Sequence, residues 1–230
     1  MILCRSMANP GWRHWKAAKW LLGYLAKYSD LGIQYTYDGN LRSYGYADAD
    51  HGSDWSKRSI SGNIFFLAGG PVSWQCKMQP VVSLSTAESE VRAIDAAFPA
   101  IREAAWLTKV LEELGHPLLG GEPFDMVRLK TTVDFSNLSP VIIFEDNQAC
   151  IQYASNPTQH SLMKHLDRSL KWIQEKVHAK SIELVYIKTL DQLADLLTKP
   201  LEPKQFWDLI TRIMSVLDDY RRSASSPYAR

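Results

Sequence analysis

Apolar positions recur at helical spacing over residues 11–28, where Trp15, Ala18, Leu22 and Leu25 share a face with Leu21 beside them. From Ile33 to Tyr37 the pattern alternates as in a strand, and Asp38-Gly39-Asn40 is a turn signal. Residues 42–48 alternate again as far as Asp48, and a polar loop follows from Asp50 to Ser59. Asn63–Ala68 reads as a strand, Gly69-Gly70-Pro71 as a turn and Val72–Cys76 as the next strand, which Val81–Leu84 extends or pairs with. This is an antiparallel meander. Ser85-Thr86-Ala87-Glu88 is a capping-box pattern. The helix behind it carries Val91, Ile94, Phe98, Ile101 and Ala105 on one face, then Leu107, Val110, Leu111 and Leu114, and Gly115 is a natural stop. Pro99 inside this helix removes the bond to the carbonyl of Asp95 and implies a kink.

The second half reads as a long irregular loop over residues 116–139, a buried strand Val141–Glu145, and a short helix Asn147–Ala154. A longer helix follows from Ser161 to His178, then a strand Ile182–Ile187 with Ile182, Leu184 and Tyr186 on one face. Leu190–Lys199 reads as helical, stopped by Pro200. Phe206, Ile210, Ile213, Met214 and Leu217 mark a final amphipathic helix, and residues 223–230 read as a disordered tail. Three antiparallel strands, a helix, a strand, helices, a strand and a helix imply a mixed α/β sheet with helices on its faces.

Composition narrows the class without deciding it. The chain has 230 residues, 46% hydrophobic and 22% charged, with a formal net charge of +1. That suits one ordinary domain with appendages, and any basic face is hidden in a neutral total. The three cysteines Cys4, Cys76 and Cys150 are scattered and odd in number, which argues for a reducing compartment and buried or semi-buried thiols. No run approaches the roughly 18 apolar residues of a membrane span.

The chemistry lies in four acids. Asp48 stands in Tyr46-Ala47-Asp48-Ala49-Asp50 and Asp146 in Phe144-Glu145-Asp146-Asn147, each at the end of a strand-like run. Glu90 stands in the first turns of a helix, and Asp195 opens another. Such a set can converge on one sheet edge, and hard divalent cations prefer all-oxygen sites. Two cations about 3.5–4 Å apart can activate water and stabilise the leaving oxygen in phosphodiester cleavage. Asp50 competes with Asp48, which follows its strand directly. Glu88 competes with Glu90, but the capping box accounts for Glu88.

With these residues stand Ser61-Gly62, Val72-Ser73-Trp74, Leu84-Ser85-Thr86, Ala104-Ala105-Trp106-Leu107, Glu145-Asp146-Asn147-Gln148, Lys164-His165, Gln192-Leu193-Ala194-Asp195 and Thr198-Lys199-Pro200-Leu201. The ordered series from Tyr44 to Leu201 resembles the ribonuclease H domain of copia-type LTR retrotransposon Pol polyproteins. Met7-Ala8-Asn9-Pro10, His14-Trp15-Lys16-Ala17 and Asp30-Leu31-Gly32 resemble the end of the preceding reverse transcriptase region.

The resemblance implies a ribonuclease H-like α/β fold, a mixed five-stranded sheet with helices on both faces, plus an N-terminal helical remnant. It divides the chain into a reverse transcriptase remnant (1–40), a ribonuclease H domain (41–201, with 116–139 as an insertion), a C-terminal helix (202–222) and the tail. It implies two-metal cleavage of the RNA strand of RNA–DNA hybrids with two Mg2+ ions, Mn2+ being a possible substitute. Asp48 would bridge both metals, Asp195 would serve the water-activating one, and Glu90 and Asp146 the one on the leaving-group side.

Asn147, Gln148, Lys57, Arg58, Lys164 and His165 are candidates for nucleic-acid contact. For Asn147 a helix cap is the other reading. The six Lys and Arg from 164 to 188 form either a backbone-contacting strip or a solvated helix face. Trp74, Trp106 and Trp172 read as core or rim packing. The implied partners are the hybrid and the reverse transcriptase of the parent polyprotein, with no membrane. The implied location is the cytoplasm, in the virus-like particle of the parent element, with the nucleus also possible. His51 in place of a usual Trp, Pro99 and the long 116–139 segment depart from the family pattern. They open a second reading, an inactive relic or hybrid-binding module.

Overall fold

The computed structural model describes residues 2–36, 43–50, 58–82, 86–115, 140–156 and 167–216. The turn at 38–40, Lys57, Ser85, the 116–139 segment, Lys164, His165 and the 223–230 tail lie outside them. Contacts group the chain into two compact units, residues 35–210 and the front residues up to Gln34 with the described chain from Thr211. The last described stretch thus belongs with the front, where the linear division expected a separate C-terminal helix.

In the front unit, α1 (Ile2–Arg5) and α2 (Trp12–Lys27) precede β1 (Leu31–Gly32). β1 pairs antiparallel with β7 (Ser215–Val216), Leu31 opposite Val216 and Gly32 opposite Ser215. The expected helix over 11–28 is present, but none of its residues is buried, and Trp12, Trp15 and Trp20 are exposed. The expected strand from Ile33 is displaced to residues 31–32, because that is as far as β7 reaches. Residues 33–36 have no regular structure.

The larger unit is built on a five-stranded sheet in the order β4-β3-β2-β5-β6. These are β2 (Tyr44–Asp50), β3 (Arg58–Leu67), β4 (Gly70–Val82), β5 (Val141–Glu145) and β6 (Ile182–Tyr186). β2, β3 and β4 form the antiparallel meander, while β2–β5 and β5–β6 are parallel. Its helices are α3 (Thr86–Gly115), α4 (Gln148–Ser155), α5 (Asp167–His178) and α6 (Asp195–Thr198), and α7 (Pro203–Ile213) begins in this unit and ends past its boundary at Ile210. With α6 on the opposite face from α3, this is the ribonuclease H-like architecture. The β3–β4 turn lies one residue earlier than expected. Ala68 and Gly69 both have positive φ, the conformation of a two-residue primed hairpin turn, and Gly70 and Pro71 already belong to β4. Pro71 is tolerated because β4 is an edge strand.

α3 runs through Pro99 without ending; of its expected apolar face Ile101, Leu107 and Leu111 are buried, and the side chains of Val91, Ile94, Phe98 and Leu114 lie outside those described. Ala97, Ala100, Ile101, Ala104, Leu107 and Leu111 are buried, while Ala105 and Val110 are only half-buried. Small residues at 97, 100 and 104 let the helix approach the sheet closely. They meet Ala47, Phe65, Val141 and Ile143 from the strands and Cys150, Leu170 and Ile173 from α4 and α5. Cys4 and Cys76 are exposed, so only Cys150 meets the expectation of a buried thiol. On the other face, Tyr44 stacks on Phe66 at 5.2 Å between ring centres and Tyr46 lies 5.0 Å from Phe144. This aromatic layer ends at Asp48, two residues beyond Tyr46 on the same side of β2.

Candidate active site

β2 and β5 are parallel neighbours, so their C-terminal ends share one edge of the sheet. Asp48 lies near the end of β2 and is 4% exposed; Asp146 directly follows β5 and is half-buried. Asp195 opens α6 and is fully buried. Glu90 lies in the first turns of α3, and its side chain is not among those described.

Gln192 ties these ends together. Its buried Nε2 donates to the carbonyl of Ala47 at 2.9 Å and to that of Phe144 at 3.5 Å, while its Oε1 accepts from the N–H of Ala194 at 3.3 Å. Paired backbone between β2 and β5 stops at Tyr46 opposite Phe144, and the side-chain amide continues the bonding beyond that point. This explains why Leu190–Lys199 is not one helix, despite its helical apolar spacing. Thr189–Asp191 is a 3-10 turn, Gln192–Ala194 leaves the helical path to make the staple, and α6 begins only at Asp195.

α6 sits on β3 at Gly62, the cross-strand partner of Asp48. A Cβ on Gly62 would stand 2.7 Å from Thr198 Cγ2, 3.0 Å from Leu197 Cβ and 3.3 Å from the Ala194 carbonyl. Gly62→Ala is therefore expected to push α6 off the sheet, costing about 1–3 kcal/mol as an overpacking change. Chemical denaturation should register the loss, and the shift of Asp195 should lower any metal-dependent activity further than the stability loss alone.

The acids carry unbalanced charge. The Thr198 hydroxyl donates to Asp48 Oδ2, and the Lys199 ammonium lies 2.8 Å from Asp195 Oδ1 and 3.9 Å from Asp48 Oδ2. Burial raises the Asp48 carboxyl above its ordinary range; Thr198 and Lys199 pull against that, and the charge of Asp146 adds to it. Asp195 is pushed up to about 7, first by burial, with Lys199 opposing and Asp48 and Asp146 adding to the rise. Burial alone depresses Lys199, but Asp195 and Asp48 outweigh it and hold the ammonium above its usual value. Glu145, next to Asp146, is also raised well above the carboxylate range by burial, although its Oε1 accepts from the N–H of Asn147 at 3.2 Å.

Asp195 Oδ2 and Glu145 Oε2 are buried and receive no hydrogen bond. Buried acids facing one ammonium, with orphaned oxygens, form a donor set suited to a hard divalent cation. Among the described residues, however, no three such side chains close into a metal cage. The oxygens a cation needs are the ones Lys199 now touches.

Comparison with known proteins sets this site in context. The chain is 32% identical over 209 residues to the retrovirus-related Pol polyprotein from transposon TNT 1-94 of Nicotiana tabacum, covering 89% of the chain and 14% of that protein. It is 32% identical over 212 residues to the Pol polyprotein from transposon RE2 of Arabidopsis thaliana, covering 92% of the chain and 13% of the relative. The chain belongs to the copia-type retrotransposon Pol family. It spans about a seventh of the length of these polyproteins. It is also 41% identical over 108 residues to secreted RxLR effector protein 161 of Plasmopara viticola, covering 46% of the chain and 74% of that protein. No family model matches the chain.

For this Pol-family chain, the candidate nucleic-acid residues separate. Arg58 opens β3 and is exposed, and Gln148 is exposed at the start of α4. Asn147 caps α4, its Oδ1 accepting from the N–H groups of Ala149 at 3.0 Å and Cys150 at 3.2 Å, so that oxygen is committed to the helix. In the basic stretch, Lys176 lies over the ring of Trp172 at 5.6 Å. Trp74 and Trp106 are 57% and 55% exposed, so neither is core. Among the described residues, no helix is long and apolar enough to cross a membrane. Sequence reasoning assigned no role to Gln192, Thr198, Lys199 or Glu145. The first three fall within the motifs around Asp195, and Glu145 adjoins Asp146; in each case position beside an acid was the available signal.

Proposed function

We propose that this chain hydrolyses the RNA strand of RNA–DNA hybrids, as the ribonuclease H part of a retrotransposon Pol polyprotein. The observation that carries the reading is the pair of buried, charge-frustrated carboxylates Asp48 and Asp195, held with Asp146 at one sheet edge by the Gln192 amide. Kinship with retrotransposon Pol proteins supports it.

Asp48, Glu90, Asp146 and Asp195 would hold divalent cations, which when bound supply the activated water and the charge to stabilise the leaving oxygen. The chain's own residues supply the geometry. Gln192 locks the ends of β2 and β5 to the start of α6, Thr198 orients Asp48, and Lys199 balances carboxylate charge. The aromatic layer of Tyr44, Tyr46, Phe66 and Phe144 lies on the same face of the sheet as Asp48 and gives it an apolar neighbour, which strengthens electrostatics there.

The test is cleavage of a labelled RNA–DNA hybrid by purified protein with magnesium, beside the Asp146→Asn variant. The RNA strand alone should be cut, and the variant should be at least about 100-fold slower with an unchanged fold, since a metal-bearing acid acts on the transition state itself. An undiminished rate in the variant contradicts the assignment. A second reading, a non-catalytic hybrid-binding module, draws on the Lys199 ammonium standing where a cation is needed. Hybrid binding without cleavage by well-folded protein would select it.

A further inference from the structure

On the face of the sheet that carries α3, a groove of about 640 Å³ opens between β4 and the second half of that helix. Trp106 from α3 lines it with more than half its surface exposed, while Trp74 of β4 pairs with Ile64 and so turns its ring to the opposite face. Lys77 and Arg102 stand in its walls, and its carboxylate Glu103 is engaged by the Ser73 hydroxyl at 2.5 Å. At its floor Asn63 is 4% exposed, and the Asn63 Oδ1 is buried with no hydrogen-bond donor. A buried amide oxygen left without a donor has lost its water and gained nothing in return, so the groove is incomplete as it stands.

We infer that this groove binds an unpaired nucleobase of a single-stranded nucleic acid, with Asn63 Oδ1 accepting a base N–H, Trp106 offering a face for stacking, and Lys77 and Arg102 meeting the flanking phosphates. Each element has its own chemical reason. Unpaired bases expose N–H donors that duplex pairing otherwise consumes. Tryptophan faces stack on any base, and cations beside them track the backbone. The groove lies apart from the candidate active site. Asn63 pairs with Ala47, one residue before Asp48, so its side chain points to the opposite side of the sheet from Asp48. A strand held there is gripped without being presented to the acids. Binding in the groove therefore does not require that the chain cleave hybrids.

The experiment measures fluorescence anisotropy of a short labelled single-stranded DNA with the full chain and with its Trp74→Ala and Trp106→Ala variants. The same strand without bases and the corresponding duplex serve as comparisons. Both substitutions are at exposed rings, and a thermal melt checks that each variant folds. Trp106→Ala is expected to weaken single-strand binding by about 5-fold or more, and Trp74→Ala, on the opposite face, to leave it unchanged. The baseless strand and the duplex should bind more weakly and be insensitive to both variants. Asn63→Ala should reduce the preference for the base-bearing strand over the baseless one. Unchanged affinity in the Trp106→Ala variant overturns the inference, as does equal binding of the baseless strand. It is also overturned if Trp106→Ala loses only binding to a separately produced polymerase region of the parent polyprotein. Hybrid cleavage, measured in parallel, distinguishes the two proposals. A variant that cuts normally but has lost single-strand binding supports the groove, whereas failure of every form to cut leaves the binding result to stand by itself.

Discussion

Asp195→Asn is expected to abolish metal-dependent cleavage and, without divalent cations, to raise the melting temperature. The carboxyl is fully buried and its folded pKa is pushed up to about 7 from an ordinary 3.8. Between those values the folded protein holds a proton that the unfolded chain releases, so stability falls as pH rises from about 4 to about 7 and then levels off. Asp48 is raised as well and contributes with the same sign. Asparagine cannot ionise, yet its carbonyl can still accept from Lys199. The gain should thus be small near pH 4, grow towards pH 7 and stay constant above it. Every tenfold difference in proton affinity between the folded and unfolded chain is worth about 1.4 kcal/mol. A gain of at least about 1 kcal/mol at pH 8 is therefore expected, or roughly 2–4 °C for a domain of this size. Magnesium should stabilise the parent protein far more than the variant. A variant that melts below the parent at pH 8 without metal would show that the carboxylate is not frustrated.

Gln192→Leu is expected to be among the most damaging single changes outside the acids. The amide is fully buried and serves the carbonyls of Ala47 and Phe144 and the N–H of Ala194 at once. Leucine fills similar space but leaves these groups without the bonds that Gln192 supplies, each costing about 1–3 kcal/mol when left unsatisfied in the interior. A loss of about 2–4 kcal/mol in urea denaturation is expected. Gln192→Glu is the sharper control, because it keeps an acceptor for Ala194 but loses both N–H donors and adds a buried charge beside Asp48. It should destabilise at least as much, and at neutral pH more than at pH 4. A loss under about 0.5 kcal/mol in both variants would mean that the strand ends hold together without the staple.

The acids and the staple differ in how far the chain itself announces them. Strand alternation marked β2, β5 and β6 because each has a consistent periodic or apolar signature. That Asp48 and Asp146 could share one sheet edge followed from their places at strand ends, whereas the parallel pairing of β2 with β5 that achieves it came from the structure. Gln192 was not legible in that way. Nothing in a lone glutamine announces that its amide will cap two strand ends far away in sequence, and the apolar spacing of Leu190, Leu193 and Leu197 argued for a helix that the staple interrupts. Gly62 was equally silent, since its requirement is set by Thr198 and Leu197 arriving from α6. Ile33–Thr36 shows the converse: good alternation there forms no strand, and Thr36 donates its N–H to the Ala68 carbonyl of the β3–β4 turn at 2.8 Å. Local pattern thus disclosed the elements, while the contacts that aim the acids depend on residues distant in the chain.

The short ladder between β1 and β7 joins residues 31–32 to residues 215–216. During synthesis these halves are made far apart in time. At about 5–20 residues per second, roughly 10–40 s separate the emergence of Gly32 from that of Ser215. The sheet that carries the acids is complete in sequence before β7 exists. The strands and helices that carry the acids are therefore complete while β1 still waits for its partner strand, so Leu31 and Gly32 are among the last residues to settle.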